Sequence, residues 1–400
     1  MTQSDFSLNI KTNYSKSNTL KLDFNVDLAV LNQKALPMIK IVESYSSNGT
    51  LIKFDVFKNA LKLSILNGNV FSDVLVPAKI DILQENEYIT FLIESEKFTK
   101  FISFLSEGHI NFSVDLSSKT LGLSHANLLI NLQIRANSEF MEYEHILQTA
   151  KIASDKLMIE KIKQSIDFCN LIFSKDDSKE EYKDINISDS LIFSRSDFIG
   201  SSCVKFSSFG ALDHTINFNL IKIISQTLSL FKEVEVKMYK TDKFFIFKDT
   251  AVLFAFPISN KSGLDIKGKI ENLSFNIESK FNCSINRKQL IQTLSILSIF
   301  LRDLSDGLVN FTFSNQQLRV SVIDQVTERE SFDTFSIDSN IPESVSISLN
   351  FDSILKNLKY FINRENVDLE IIKLENSKLG IRIVEEFNSS KFVVFFVGNS

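Results

Sequence analysis

Apolar positions along this chain switch between two periods, and the switch recurs. From Val345 to Leu349 hydrophobic and polar residues alternate as in a strand, and Asn350 punctuates the run. Phe351, Ile354, Leu355, Leu358 and Phe361 then fall at helical spacing, after which Val367–Ile371, Leu379–Ile383 and Phe392–Val397 alternate again. The stretch from Tyr88 to Ile134 reads the same way. A strand at Ile89–Ile93 leads into a helix through Phe98, Phe101, Ile102 and Leu105, and strands follow at Ile110–Val114, Leu121–Leu123 and Leu128–Ile134. A third copy runs from Thr215 to Phe256, with its helix through Leu220, Ile223, Ile224, Thr227, Leu228 and Phe231. A period of 3.6 giving way to a period of 2 at one recurrent place marks a duplicated supersecondary unit.

The helices of the repeat centre near residues 35, 101, 163, 225, 295 and 357. Their spacing, roughly 60 to 70 residues, suits half-domains better than a solenoid. Pro37 is expected to interrupt the first helix, around Leu31–Val42. The third is expected over Lys156–Phe173 and the fifth over Asn286–Leu301. Pairing consecutive units gives three domains, 1–137, 138–262 and 263–400, with boundaries in the polar Arg135–Glu144 and Ser259–Gly268. The predicted fold class is α+β: doubled strand–helix–strands units, with antiparallel sheets outside and helices on an inner face.

Composition narrows the class. A 400-residue chain with 44% hydrophobic and 23% charged residues is long enough for several cores and ordinary for a globular protein. With only 11 Gly and 4 Pro, long flexible linkers are not expected. The 37 Phe beside no Trp read as an AT-rich coding bias, of a phage or other virus or of a low-GC bacterium. Cys169, Cys203 and Cys283 are odd in number and far apart, which favours a reducing compartment. Met1–Asn9 has no secretion-signal pattern, and Leu290–Leu301 is shorter than the about 20 residues a bilayer span needs. A cytoplasmic protein, bacterial or in an infected host cell, without a membrane partner is expected.

Charge is distributed unevenly. The chain carries a formal net charge of −5, yet its predicted helices are locally basic. Lys97, Lys100, Lys161, Lys163, Lys222, Arg287, Lys288, Lys356, Lys359 and Arg364 are the candidate contacts to a phosphate backbone. Enzyme chemistry finds little support. His109, His125, His145 and His214 are scattered, without metal spacing. Gly263–Ile270 nearly spells a phosphate-binding loop, but Ile270 cannot supply the hydroxyl, and the segment reads as an interdomain linker. No catalytic residue, metal or cofactor is expected.

Taken together, these features resemble a known family. Three domains of doubled strand–helix–strands units resemble the bacterial-type DNA sliding clamps, the polymerase III beta subunit or processivity factor. Leu349-Asn350, Ile354-Leu355, Leu358 and Glu365-Asn366-Val367 resemble that family's last helix and the strand after it. Phe392–Val397 resembles its closing segment, although the family's tail proline is missing here. Phe168 to Asp177, Ser194-Arg195-Ser196-Asp197 and Phe256-Pro257 are similar to features of its middle domain. The resemblance implies a homodimeric ring around duplex DNA, held without sequence readout, with a DNA polymerase and a clamp loader as partners. It also implies a peptide pocket, carried here onto Ser196, Phe198 and Ile199 with Val394, Phe395, Phe396 and Val397, where at least one tail Phe is expected to point away from the sheet core. Two alternatives stay open: a monomeric clamp-like polymerase or viral transcription accessory factor, and a structural assembly protein that does not bind DNA.

Overall fold

The computed structural model describes residues 15–16, 20–46, 49–80, 87–140, 150–172, 184–188, 191–196, 199–205, 214–231, 235–258, 267–277, 279, 281–303, 307–324, 326–338, 341, 344–361, 364–374, 378–387 and 390–398. After a short β1 (Ser15–Lys16), six repeats follow one another. The first is β2 (Lys21–Asp27), α1 (Leu28–Val30) continued by α2 (Leu36–Glu43), then β3 (Leu51–Phe57), β4 (Ala60–Asn67) and β5 (Val70–Pro77). The second is β6 (Glu87–Glu94), α3 (Ser95–Ser103), β7 (His109–Asp115), β8 (Thr120–His125) and β9 (Leu128–Gln133). The third is β10 (Lys151–Met158), α4 (Ile159–Cys169), β11 (Asp184–Ser188), β12 (Leu191–Ser196) and β13 (Gly200–Lys205). The fourth is β14 (His214–Asn217), α5 (Phe218–Leu228), β15 (Glu235–Lys240), β16 (Phe244–Lys248) and β17 (Val252–Pro257). A short α6 (Lys267–Glu271) precedes the fifth, β18 (Phe281–Asn286), α7 (Arg287–Leu297), β19 (Leu308–Ser314), β20 (Gln317–Ile323) and β21 (Glu330–Ser336). The sixth is β22 (Val345–Asn350), α8 (Phe351–Tyr360), β23 (Asn366–Lys373), β24 (Leu379–Phe387) and β25 (Ser390–Val397).

Local chemistry sets the strand-to-helix switch. The Asp27, Asn286 and Asn350 side chains accept the amides of Ala29 (2.8 Å), Gln289 (3.1 Å) and Ser353 (2.9 Å). Each thereby satisfies a helix N–H that has no partner within the helix. Three sequence expectations are corrected. Pro37 does not stop the first helix: a π-turn at Leu31–Ala35 precedes it and Pro37 enters the first turn of α2, where a missing N–H costs least. The third helix is shorter than Lys156–Phe173, because β10 runs to Met158 and a 3-10 turn at Asn170–Ile172 follows α4. The end of the supposed linker is helical as well: α6 passes into a π-turn at Asn272–Asn276.

Each pair of repeats exchanges its leading strands. β2 pairs with β7 and β6 with β3. β10 pairs with β15 and β14 with β11, and then β18 with β23 and β22 with β19. Six equivalent four-stranded half-sheets result, all antiparallel, and the last strand of each is free to join another. β5 joins β17 in a nine-stranded sheet, β1-β6-β3-β4-β5-β17-β16-β15-β10. β13 joins β25 in an eight-stranded one, β14-β11-β12-β13-β25-β24-β23-β18. β9 and β21 remain the outer strands of two four-stranded sheets.

Two compact units result, 1–163 with 219–258, and 164–218 with 259–400. In the first, Phe54 stacks on Phe91 (4.8 Å) and meets Phe98 of α3 edge-on (5.5 Å), so α3 covers that face of the nine-stranded sheet. Phe57, Phe71, Leu75, Phe244, Ile246 and Leu253 form a separate buried cluster in this unit. In the second, Phe168 of α4 packs on Tyr360, Phe361 and Phe392 at 5.4, 5.4 and 5.3 Å, and the Tyr360 hydroxyl donates to the Gln164 carbonyl (2.7 Å). These contacts put α4 and the end of α8 on the side of β25 that carries Phe392. Alternation along the strand assigns Val394 and Phe396 to that side and Val393, Phe395 and Val397 to the other. No helix among the described residues is long and apolar enough to cross a membrane.

Candidate partner pocket and helix cations

On the Phe395 side of the eight-stranded sheet lies a cavity of about 420 Å³. Its floor and walls are apolar: Phe395 and Val397 of β25, Ile270, Leu273 and Ile277 of the α6 segment, and Leu374. Ser196, Gly200 and Ser201 supply one polar edge and Asn272 another. Three cations, Arg195, Lys269 and Lys378, also line it, and no carboxylate does among the described residues. Lys269 and Lys378 are exposed and Arg195 is half-buried.

Two glycines let these pieces meet. Gly200 sits at φ 137°, and a Cβ there would lie 1.9 Å from the Phe395 carbonyl oxygen, so only glycine brings β13 this close to β25. At Gly380 a Cβ would fall 2.5 Å from the tip of the Phe395 ring, which occupies that space instead. The turn between β12 and β13 is tied to the tail. The Ile199 amide donates to the Ser196 hydroxyl (3.3 Å), and the Val397 amide donates to the Ile199 carbonyl (3.0 Å).

The α6 segment docks through a small core of its own. Ile270 is buried among Leu191, Phe193, Cys203 and Val393. The Phe275 ring lies under the ammonium groups of Lys205 (4.9 Å) and Lys391 (5.6 Å). Arg382, buried on β24, pairs with Glu370 at 2.5 Å. It also donates to the carbonyls of Leu273 (3.1 Å), Ser274 (3.4 Å) and Ile277 (2.9 Å). Burial pushes the Cys203 thiol up to about 12, consistent with a dry interface beneath the segment.

The structure sorts the sequence candidates. Ser196, Phe395 and Val397 line the cavity. Ile199 is buried beside them and contributes its carbonyl, whereas Phe198 lies outside the described residues. Val394 and Phe396 belong to the opposite face of the strand, in the core with Phe392. Phe395 faces the cavity on the side of the strand away from the Phe392 core, and Phe395 and Phe396 are both 1% exposed. Sequence reading missed the α6 segment. Its signal was present in Ile270, Leu273 and Ile277, spaced three and then four residues apart, behind a Gly- and Lys-rich stretch that looked like linker.

The helix cations divide as well. Lys97, Lys100, Lys222, Lys288, Lys356, Lys359 and Arg364 are exposed, and Lys161 and Lys163 are half-buried. Lys100 pairs with Glu96 at 2.6 Å, Lys356 with Asp352, and Arg364 with Asp368 at 3.9 Å. Arg287 is a correction. It is 8% exposed, and its guanidinium donates to the carbonyls of Leu358 and Arg364 (both 3.1 Å), so it closes the C-terminal end of α8 and does not face solvent.

No protein-family model matches the chain, and no curated protein matches it by sequence. Solved structures do. The sliding clamp (DNA polymerase III subunit beta) of Bartonella birtlesii bound to griselimycin is similar at a TM-score of 0.77 and 14% identity, over 95% of this chain and 100% of that one. A Caulobacter crescentus beta sliding clamp is similar at 0.76 and 11%, over 94% and 99%. The Pseudomonas aeruginosa DNA polymerase III subunit beta is similar at 0.74 and 14%, over 94% and 100%. The chain therefore has the bacterial sliding-clamp fold along nearly its whole length, with very little of the sequence in common.

Proposed function

We propose that the chain is a DNA sliding clamp: two copies close into a ring around duplex DNA and tether a DNA polymerase through the pocket at the β25 tail. One observation carries this reading. Of six equivalent half-sheets, four are joined in pairs by their last strands, and the last strands of the other two, β9 and β21, have no outer partner among the described residues. An open edge is a template for another chain. Pairing β9 with β21 of a second copy repeats the join the chain already makes twice. The two edges differ, so the contact is heterologous, and with two copies it closes and leaves neither edge open. Exposed apolar side chains accompany both edges: Leu128 and Leu129 on β9, and Phe332 on β21. Ile296 and Ile299 stand exposed near the end of α7, which is tied to β21 by a Thr293 to Asp333 hydrogen bond of 2.6 Å.

In this reading the three domains are 1–137, 138–262 and 263–400, and the exposed helix cations meet phosphates of the enclosed duplex. Contacts to phosphate alone hold DNA without reading its sequence and leave the ring able to slide. The pocket takes an extended partner segment with an apolar or aromatic anchor. Its cationic lining suits carboxylates beside that anchor. Clamps of this fold carry no chemistry of their own, so the role is topological, and a loader that opens the ring is the further partner.

Light scattering and a loading assay test the proposal. A mass twice the 45.6 kDa of the chain, with retention on nicked circular DNA and release after linearisation, is the expected result. A monomer that binds polymerase without retention on circles would point to the accessory-factor reading instead.

A further inference from the structure

We infer that Arg382, which does not line the pocket, is the positioning residue that gives the pocket its wall; the inference rests on the partner-pocket reading above. At the end of the α6 segment the Ile277 amide closes a π-turn onto the Asn272 carbonyl (3.1 Å), and Ile277 itself turns extended at φ −78°, ψ 127°. The chain leaves the helix there, so the carbonyls of Leu273, Ser274 and Ile277 have no following helical amides to accept from. All three are taken by one nitrogen of the Arg382 guanidinium, at 3.1, 3.4 and 2.9 Å. Another nitrogen of the same group holds Glu370 at 2.5 Å.

Position gives this clamp its effect. Leu273 and Ile277 each offer a carbonyl held by Arg382 and a side chain lining the cavity, and Asn272 lies between α6 and them. Arg382 stands on β24, on the face that also carries Gly380, over which the Phe395 ring lies. The guanidinium therefore fixes the distance between the irregular part of the pocket, a short turn, and its regular part, the sheet. The planar fork aims the Nε–H at the carboxylate and the Nη1 hydrogens at the carbonyls, a fixed divergence of donors that a single nitrogen cannot reproduce. A lysine ammonium would keep the charge and the pairing with Glu370 but lacks that fork.

The test uses the full-length protein and a fluorescein-labelled hexapeptide with leucine and phenylalanine anchors between two aspartates, chosen for the apolar floor and cationic lining. Arg382→Lys is expected to weaken peptide binding about tenfold, mostly through a faster off-rate. Hydrogen exchange is expected to quicken first and most at the 272–277 amides, with oligomeric mass unchanged. Glu370→Gln, which leaves the guanidinium on the carbonyls, is expected to keep the wild-type affinity. Peptide binding by the wild-type protein with the same affinity in Arg382→Lys overturns the inference alone, as does an equal weakening in Glu370→Gln. A wild-type protein that does not bind the peptide overturns the pocket reading, and the inference with it.

Discussion

Replacing Lys97, Lys100, Lys222, Lys356 and Lys359 together by glutamate tests whether the exposed helix cations carry affinity for duplex DNA. All five stand in solvent, so none holds the core together. Two have a carboxylate one turn away: Lys100 pairs with Glu96 and Lys356 with Asp352. The Lys100 hydrogen bond holds the Glu96 carboxyl below its usual range. Exposed pairs of this kind add little net stability because water screens them, so either lysine can exchange its carboxylate for a phosphate at little cost. Each phosphate left without its cation lowers the slope of log affinity against log salt by about 0.9, so the five substitutions together lower it by about 4 to 5. Folding should survive. The substitutions place like charges one turn apart at 96/100 and 352/356, which should shift Tm by no more than about 3 °C. Fluorescence anisotropy of a labelled duplex across a salt series reads the slope, and circular dichroism reads Tm. An unchanged slope in a protein that still folds and dimerises would show that these lysines only solubilise the helices.

Three further outcomes are expected. Arg287→Met should destabilise the protein by about 2 to 3 kcal/mol in denaturant titration, because the Leu358 and Arg364 carbonyls are left without a buried donor, and should leave the DNA salt slope unchanged. Leu129→Asp or Phe332→Asp, each on an open edge strand, should turn the dimer into a monomer by light scattering with Tm nearly constant; a persistent dimer would remove β9 and β21 from the interface. Burial raises Cys203 and Cys283 to about 12 and Cys169 well above its usual value, so none should react with a thiol reagent in the folded protein at about pH 8. The same shift favours the neutral thiol in the folded state. Stability from these groups is therefore complete below about pH 8.5, where unfolded thiols begin to ionise, and declines as pH rises toward 12, which melting curves across that window would follow.

The repeat was legible because its helices are amphipathic and its strands half-buried, so each period shows in the order of residues. Asn350 announced a helix start by residue type, and its side chain does cap α8. Clean alternation also made β7 and β23 plain, where inward Phe112 and Leu369 alternate with polar residues. The half-sheet joins were hidden. β5 and β13 are buried over nearly their whole length, so their sequences carry no period that could reveal a partner strand far away in the chain. At the pocket, β25 was found from its sequence, whereas the α6 segment and Arg382 were not. A short irregular turn held by one arginine from a distant strand leaves no local pattern. Arg287 misled for a related reason: composition cannot tell a cation facing solvent from one turned inward onto carbonyls.

The exchange of leading strands bears on how the protein is made. β2 pairs with β7 across the register Lys21–Asp115, and β18 with β23 from Phe281–Ile371 to Asn286–Asn366. Between β2 and β7 lie β3 to β6, and between β18 and β23 lie β19 to β22, in each case with the helices of two repeats. As the chain leaves the ribosome its helices can form within their own turn, but the leading strands of the first, third and fifth repeats, β2, β10 and β18, wait, unpaired, for a neighbour synthesised much later. Closing those loops sets the pace of folding, as in other proteins dominated by non-local strand pairing. Half of an exchanged pair has no sheet of its own to complete, so a nascent chain halted midway offers a bare edge to whatever strand it meets first. The same architecture that gives the finished protein its uniform half-sheets makes translation the stage at which it is most open to mispairing.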